Sequence, residues 1–193
     1  MARTPRILAF GGSLRRESFN QHLVRIAAAG ARAAGAEVTL IELRDFPLPV
    51  FDQDLEAADG PPESAVRLKE LFLEHQGLLI ASPEYNSSVS AALKNTIDWV
   101  SRPAAGEAPL ACFAGKTAAL MSASPGALGG MRGLVHLRAI LGNIRVLVLP
   151  TQVAVAQAGS AFAADGSLND TKQQTAITAL GAELAAVTAR LHG

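Results

Sequence analysis

The sequence predicts an α/β three-layer sandwich, a five-stranded parallel sheet with helices on both faces. Three observations carry that prediction. Short continuous apolar runs, the mark of strands covered on both faces, alternate with stretches whose apolar residues recur at three- and four-residue steps, the mark of helices. The alternation recurs along the whole chain, and strands alternating with helices pack as a parallel sheet because right-handed crossovers return each helix to a sheet face. The length, 193 residues, suits one domain of roughly 100–200 residues, so residues 1–193 are expected to form a single unit.

The first strand falls at residues 7–10, and the helix after it carries Leu23, Ile26 and Gly30 on one face. Ser18 and Asn20 can cap its start by accepting from exposed first-turn amides; Gly35 suits its exit. The second strand falls at 38–41. The 45–59 stretch, containing Pro47 and Pro49, reads as a long loop that covers the site, meets a partner subunit, or simply crosses the surface. Pro61 and Pro62 break the chain before a helix with Leu68, Leu71, Phe72 and His75 on one face. The third strand falls at 78–81. Ser90 then caps a helix that buries Leu93, Ile97 and Val100, with Trp99 packing and Lys94–Asp98 as a surface pair. The fourth strand, 117–121, precedes a helix with Leu134, Leu137, Ile140 and Leu141, which exits at Gly142. The fifth strand is read at 144–149. The last helix, capped by Asn169 or Asp170, carries Ile177, Leu180, Leu184, Val187 and Leu191. Five such units suit the flavodoxin-like strand order 2-1-3-4-5. Ligands of such sheets bind beyond the carboxyl ends of the strands, where the winding reverses. The loops after residues 10, 81 and 123 are therefore the place to look.

Lys and Arg total 17, as do Asp and Glu, which argues against a nucleic-acid binder, normally marked by a basic excess. The lone Cys112 excludes an intramolecular disulfide and a multi-thiolate metal site; its apolar surroundings predict a buried, unreactive thiol. His22, His75, His136 and His192 show no ligand spacing, so no metal is expected. No apolar run reaches the roughly 20 residues that span a bilayer, and residues 1–6 lack the apolar stretch of a secretory leader. A cytoplasmic protein without membrane contact is expected.

The loop after the first strand holds Gly11 and Gly12 for a tight turn, Ser13, Ser18 and Asn20 as short polar groups, and Arg15 and Arg16 as cations, all at a helix start. Free amides and the helix dipole make this an anion site. It lacks both the three spaced glycines of a dinucleotide loop and the Gly-Lys-Ser/Thr ending of a triphosphate loop, so a monophosphate fits better. The loop after the third strand, residues 82–90, begins Ser82-Pro83-Glu84-Tyr85-Asn86; its amides can read a heteroaromatic edge, and Tyr85 can cover a ring or line a subunit seam.

Three stretches, GSLRRESFNQ (12–21), PEYNSSVSAALKNTIDWVSRP (83–103) and SPGALGGMRG (124–133), together resemble the NADPH-dependent FMN reductase family, which includes bacterial chromate and quinone reductases. The resemblance covers nearly the whole chain. It implies a flavodoxin-like fold carrying non-covalent FMN, reduced by NADPH or NADH, with electrons passed to a quinone, flavin, azo or metal-oxyanion acceptor. It places Ser13, Arg15, Ser18 and Asn20 at the FMN phosphate, with Phe19 among the cofactor-binding residues. Pro83, Glu84, Tyr85, Asn86, Ser87 and Ser88 would line the isoalloxazine, mainly through backbone groups, and Ser124 and Gly126 would approach the ring or ribityl chain. Arg132 is an implied contact of the nicotinamide nucleotide; a 2′-phosphate needs a cationic partner, and Arg16, Arg102 and Arg132 are the choices for it. No catalytic side chain is expected, because FMN carries the hydride transfer; amides of 124–130 would favour charge developing on the ring. A homodimer or homotetramer is implied by family subunit contacts around the flavin. Two departures concern acceptor choice. Ser90 replaces a frequent second proline, predicting a looser start to the third helix, and Ser87 stands where glycine or an aromatic residue is common.

Two rival readings accompany this one. A flavodoxin-type electron carrier would not oxidise NAD(P)H itself; such carriers are usually acidic for docking, and the balanced charge and Arg132 weigh against it. A flavodoxin-like enzyme acting on nucleosides would use Glu84 as a carboxylate nucleophile.

Overall fold

The structure, a computed structural model, describes residues 4–193; residues 1–3, part of the stretch on which the expectation about a leader rests, lie outside the described residues. Along the chain the elements are β1 (Arg6–Gly11), α1 (Phe19–Ala33), β2 (Glu37–Glu42), a 3-10 turn (Leu43–Asp45), α2 (Gln53–Asp59), α3 (Glu63–Glu74), β3 (Gly77–Ala81), β4 (Glu84–Tyr85), β5 (Ser88–Val89), α4 (Ala91–Val100), β6 (Thr117–Ala123), α5 (Met131–Asn143), β7 (Leu147–Val155), α6 (Ala158–Ala161) and α7 (Thr171–His192). The main sheet is parallel with order β2-β1-β3-β6-β7, which is 2-1-3-4-5 counted over its own strands. The continuous apolar runs are central strands: β3 and β6 are buried end to end and β1 nearly so, whereas the edge strands β2 and β7 are partly exposed.

Alternate residues of each strand point to opposite faces. Ile7, Ala9 and Leu79 face a core built with Leu23, Ile26, Ile177, Leu180 and Leu184; Leu8, Phe10, Leu78 and Ile80 face a second core with Leu68, Phe72, Leu93, Leu134 and Leu137. Truncating one such leucine to alanine typically costs about 2–5 kcal/mol. Helices α1 and α7 approach closely enough that glycine is obligatory. A Cβ at Gly30 would lie 2.0 Å from the Thr178 carbonyl oxygen, and one at Gly181 would lie 1.9 Å from that of Ala27.

Several boundaries differ from the sequence reading. The last sheet strand is Leu147–Val155 rather than 144–149. Arg145 takes a left-handed φ of 67° after α5, so the strand starts late. Pro150 does not end it, because an edge strand tolerates proline at a bulge: the pairing jumps from Ala118↔Val148 to Leu120↔Gln152. Gly142 lies inside α5 and is not its exit. Leu191 is exposed, so the apolar stripe of α7 stops short of it. The 45–59 stretch is not all loop, since Asp52 caps α2 by accepting from Asp54 N at 2.8 Å. Its first part is tied to α4 of its own chain: Asn95 accepts from Phe51 N and donates to the Pro49 carbonyl, and Trp99 Nε1 donates to that same carbonyl, each at 2.8 Å. Among the described residues no helix is long and apolar enough to cross a membrane.

Candidate functional site

Because β1, β3 and β6 run parallel, the loops that leave their carboxyl ends meet at one edge of the sheet. Backbone bonds tie them there: Gly12 N donates to the Ala81 carbonyl and Ser82 N to that of Met121, each at 2.8 Å. Ser13, Arg15, Arg16 and Ser18 share the first loop, Pro83 to Ser88 the second, and Ser124 and Gly126 the third.

The first loop presents donors. Ser18 is the N-cap of α1, accepting from Gln21 N at 3.4 Å. That leaves the amides of Phe19 and Asn20 at the positive end of a 15-residue helix,. Ser13 Oγ accepts from Arg15 N at 3.2 Å, so its O–H remains free to donate. The Arg15 guanidinium donates to the Glu17 carbonyl at 3.2 Å and lies 5.6 Å from the Phe19 ring centre. Phe19 itself stacks on Phe162 at 5.9 Å, so its side chain is scaffold. Arg16 is exposed and makes no ion pair among the described residues.

Asn20 does a different task from the capping role expected for it. It lies inside α1, 3% exposed. Its Nδ2 donates to the Ala123 carbonyl and its Oδ1 accepts from Ala123 N, both at 2.9 Å. The carboxamide therefore fastens the start of α1, and with it the first loop, to the end of β6, just before Ser124.

The second loop is a hairpin, β4 paired antiparallel with β5. Asn86 and Ser87 form its turn with φ of 51° and 66°, the left-handed pair that a two-residue hairpin turn requires. Tyr85 is exposed. Two clasps hold the hairpin against α5. Glu84 Oε1 accepts from Arg132 Nη2 at 2.6 Å and Nε at 3.0 Å, while Oε2 accepts from Gly133 N at 3.2 Å. Ser88 Oγ and His136 Nδ1 lie 2.9 Å apart. Only 8% of the Glu84 side chain is exposed. Burial opposes its ionisation, but the bonds from Arg132 and Gly133 prevail and hold the carboxyl below its ordinary range. A carboxylate held by three donors is a clamp, not a free nucleophile.

Ser90 does not loosen the start of α4. Its hydroxyl accepts from Leu93 N at 3.1 Å and donates to the Gly12 carbonyl, which binds the hairpin's end to the first loop. In the third loop, Ser124 Oγ accepts from Gly126 N at 3.3 Å. Gly130 has φ of 91°, and a Cβ there would lie 1.9 Å from Ser122 Oγ.

Of the cations named from sequence, Arg102 is not part of this edge arrangement. It packs at the far end of α4 with Glu56, 2.9 Å away. Cys112 is 2% exposed, and burial pushes its thiol up to about 11. His75 is also buried, with Nδ1 2.6 Å from the Leu71 carbonyl and Nε2 2.8 Å from Thr39 Oγ1; burial holds its imidazole below the ordinary value.

The sequence profile of the NADPH-dependent FMN reductase family matches residues 5–160. An NAD(P)H-dependent FMN reductase of Pseudomonas aeruginosa is 36% identical over 173 residues, covering 89% of each chain. An NADPH:quinone oxidoreductase of Arabidopsis thaliana is 35% identical over 193 residues, 97% of this chain and 94% of the other. Among solved structures, FerB, a flavoenzyme NAD(P)H:(acceptor) oxidoreductase of Paracoccus denitrificans, superposes with a TM-score of 0.80 at 28% identity, covering 97% of this chain and 99% of that one.

Proposed function

The chain belongs to the NADPH-dependent FMN reductase family, and from that premise we propose that residues 1–193 form one FMN-binding domain that oxidises NADPH or NADH and reduces a small-molecule acceptor, a quinone first among the choices. The observation that carries the reading is the convergence of a donor-rich loop, a clamped hairpin and a glycine turn at one sheet edge. Its donor set fits a flavin monophosphate: the Ser13 hydroxyl, Arg15, and the amides of Phe19 and Asn20 suit a phosphate dianion, and Glu17 is the one carboxylate within the loop.

When bound, FMN supplies the hydride-accepting chemistry; the chain supplies position and charge. Pro83 to Ser88 offer the ring a rigid backbone ledge, because Glu84 and Ser88 pin that hairpin to α5. Ser124, Gly126 and the amides of the 124–130 turn left without a partner would favour negative charge on the flavin ring. Arg132 uses Nε and Nη2 on Glu84, which leaves Nη1 for a nucleotide phosphate; Arg16 is the second such group.

Leu128, Met131 and Val135, exposed around the start of α5 near the exposed Tyr85, support a homodimer or a homotetramer built around this edge. The free buried thiol of Cys112 suits the reducing cytoplasm. The balanced charge is unlike that of an acidic electron carrier. Steady-state oxidation of NADPH with a quinone tests the function: turnover supports it, and no oxidation of NADPH or NADH with quinone, flavin, azo or metal-oxyanion acceptors removes it.

A further inference from the structure

At the site edge, β1 pairs through Gly11 with Glu42 of β2. The segment that leaves β2 therefore lies beside the first loop. Between them is a cavity of about 220 Å³ whose lining includes Leu14, Leu43, Arg44, Phe46, Leu48 and Thr96. Its outer wall is fixed before any ligand arrives. Asn95 and Trp99 hold the backbone at Pro49 and Phe51. The Arg67 guanidinium lies 5.0 Å from the Phe46 ring centre and donates to the Asp45 carbonyl at 3.1 Å.

Arg44 is the one charged residue in that lining. It is half-buried and, among the described residues, makes neither an ion pair nor a side-chain hydrogen bond; Asp45, its neighbour in sequence, does not pair with it. The contrast with other arginines is plain: Arg25 holds Glu42, Arg102 holds Glu56 and Arg132 holds Glu84. A partly desolvated guanidinium without an acceptor is costly, and its planar fork matches phosphate oxygens. An apolar slot bounded by leucines and an aromatic ring, with one unpaired guanidinium, complements a purine carrying a phosphate.

We infer that this cavity takes the adenosine 2′-phosphate end of NADPH, with Arg44 on the 2′-phosphate and Leu14, Phe46 and Leu48 against the base. The inference rests on the reading that the chain oxidises NADPH. It makes Arg44, rather than Arg16, Arg102 or Arg132, the residue that distinguishes NADPH from NADH.

The test is calorimetric titration of the FMN-loaded protein with adenosine 2′,5′-bisphosphate and with 5′-AMP, for the parent, Arg44→Gln and Arg44→Lys. A charged hydrogen-bond pair predicts about tenfold or more preference for the bisphosphate in the parent. Arg44→Gln should abolish that preference with 5′-AMP binding unchanged, and Arg44→Lys should keep part of it. The KM for NADPH should rise in Arg44→Gln while that for NADH stays put. No preference in the parent, an unchanged preference in Arg44→Gln, or equal weakening of both nucleotides would overturn the assignment. NADPH oxidation with a preference insensitive to Arg44 would sink the cavity assignment and leave the function standing. An Arg44-dependent preference without oxidation of either nucleotide would do the reverse.

Discussion

Replacing Asn20 with alanine probes how the site edge is assembled. The side chain makes two buried 2.9 Å bonds, one to each backbone group of Ala123. Asn20→Ala removes both and strands an N–H and a C=O at the end of β6. Each stranded group costs about 1–3 kcal/mol, so the two together cost about 2–6 kcal/mol. At about 2–4 °C per kcal/mol for a domain of this size, Tm should fall by about 4–24 °C. The loop that begins at Ser124 should lose its anchor, so FMN affinity should fall with stability. Asn20→Asp retains the acceptor for Ala123 N but sets a carboxylate against the Ala123 carbonyl, so it should be no better than alanine. Urea unfolding of the FMN-free protein gives the stability change, and flavin-fluorescence titration gives the affinity. A change below about 0.5 kcal/mol with unaltered FMN affinity would refute the claim that Asn20 couples the two loops.

Arg15→Ala should weaken FMN binding about tenfold or more while leaving urea stability within about 0.5 kcal/mol, since the residue is exposed,; equal affinity in variant and parent would take Arg15 out of the phosphate site. Gly130→Ala combines a left-handed φ with a Cβ 1.9 Å from Ser122 Oγ. It should cost at least about 3 kcal/mol or prevent folding, as read by thermal unfolding. Cys112, raised by burial from 9.0 to about 11, should react with a disulfide reagent at pH 8 only after unfolding. Between pH 9 and 11 the folded chain keeps a thiol proton that the unfolded chain has lost. Stability should therefore fall as pH rises through that window, by about 2–3 kcal/mol in all, and Cys112→Ala should remove this component.

The central strands were legible because burial on both faces leaves continuous apolar runs, as at residues 7–10 and 78–81. The last sheet strand was misplaced because an edge strand can absorb Pro150 in a bulge, and a proline read in isolation marks an end. The β4–β5 hairpin was hidden because its turn is Asn86-Ser87, without the glycine that normally advertises two left-handed residues. Glu84 and Asn20 were both named from the sequence, but for other tasks. Their partners, Arg132 and Ala123, lie 48 and 103 residues away, and nothing local encodes such pairings. Ser90 shows the same limit from the other side. As a substitute for proline it suggested looseness, whereas its hydroxyl reaches Gly12, 78 residues distant in sequence. Arg44 carried one readable signal, a cation two residues past the second strand at the site edge, yet its lack of a carboxylate partner is visible only in the fold.

The most direct test of the central claim is an anaerobic titration of the purified, FMN-reconstituted protein with NADPH, followed by its visible spectrum. Flavin-mediated oxidation of NADPH predicts a protein-bound flavin band that one equivalent of NADPH bleaches and an added quinone restores. A protein that takes up no FMN, or whose bound flavin keeps its band with both NADPH and NADH in excess, would contradict it.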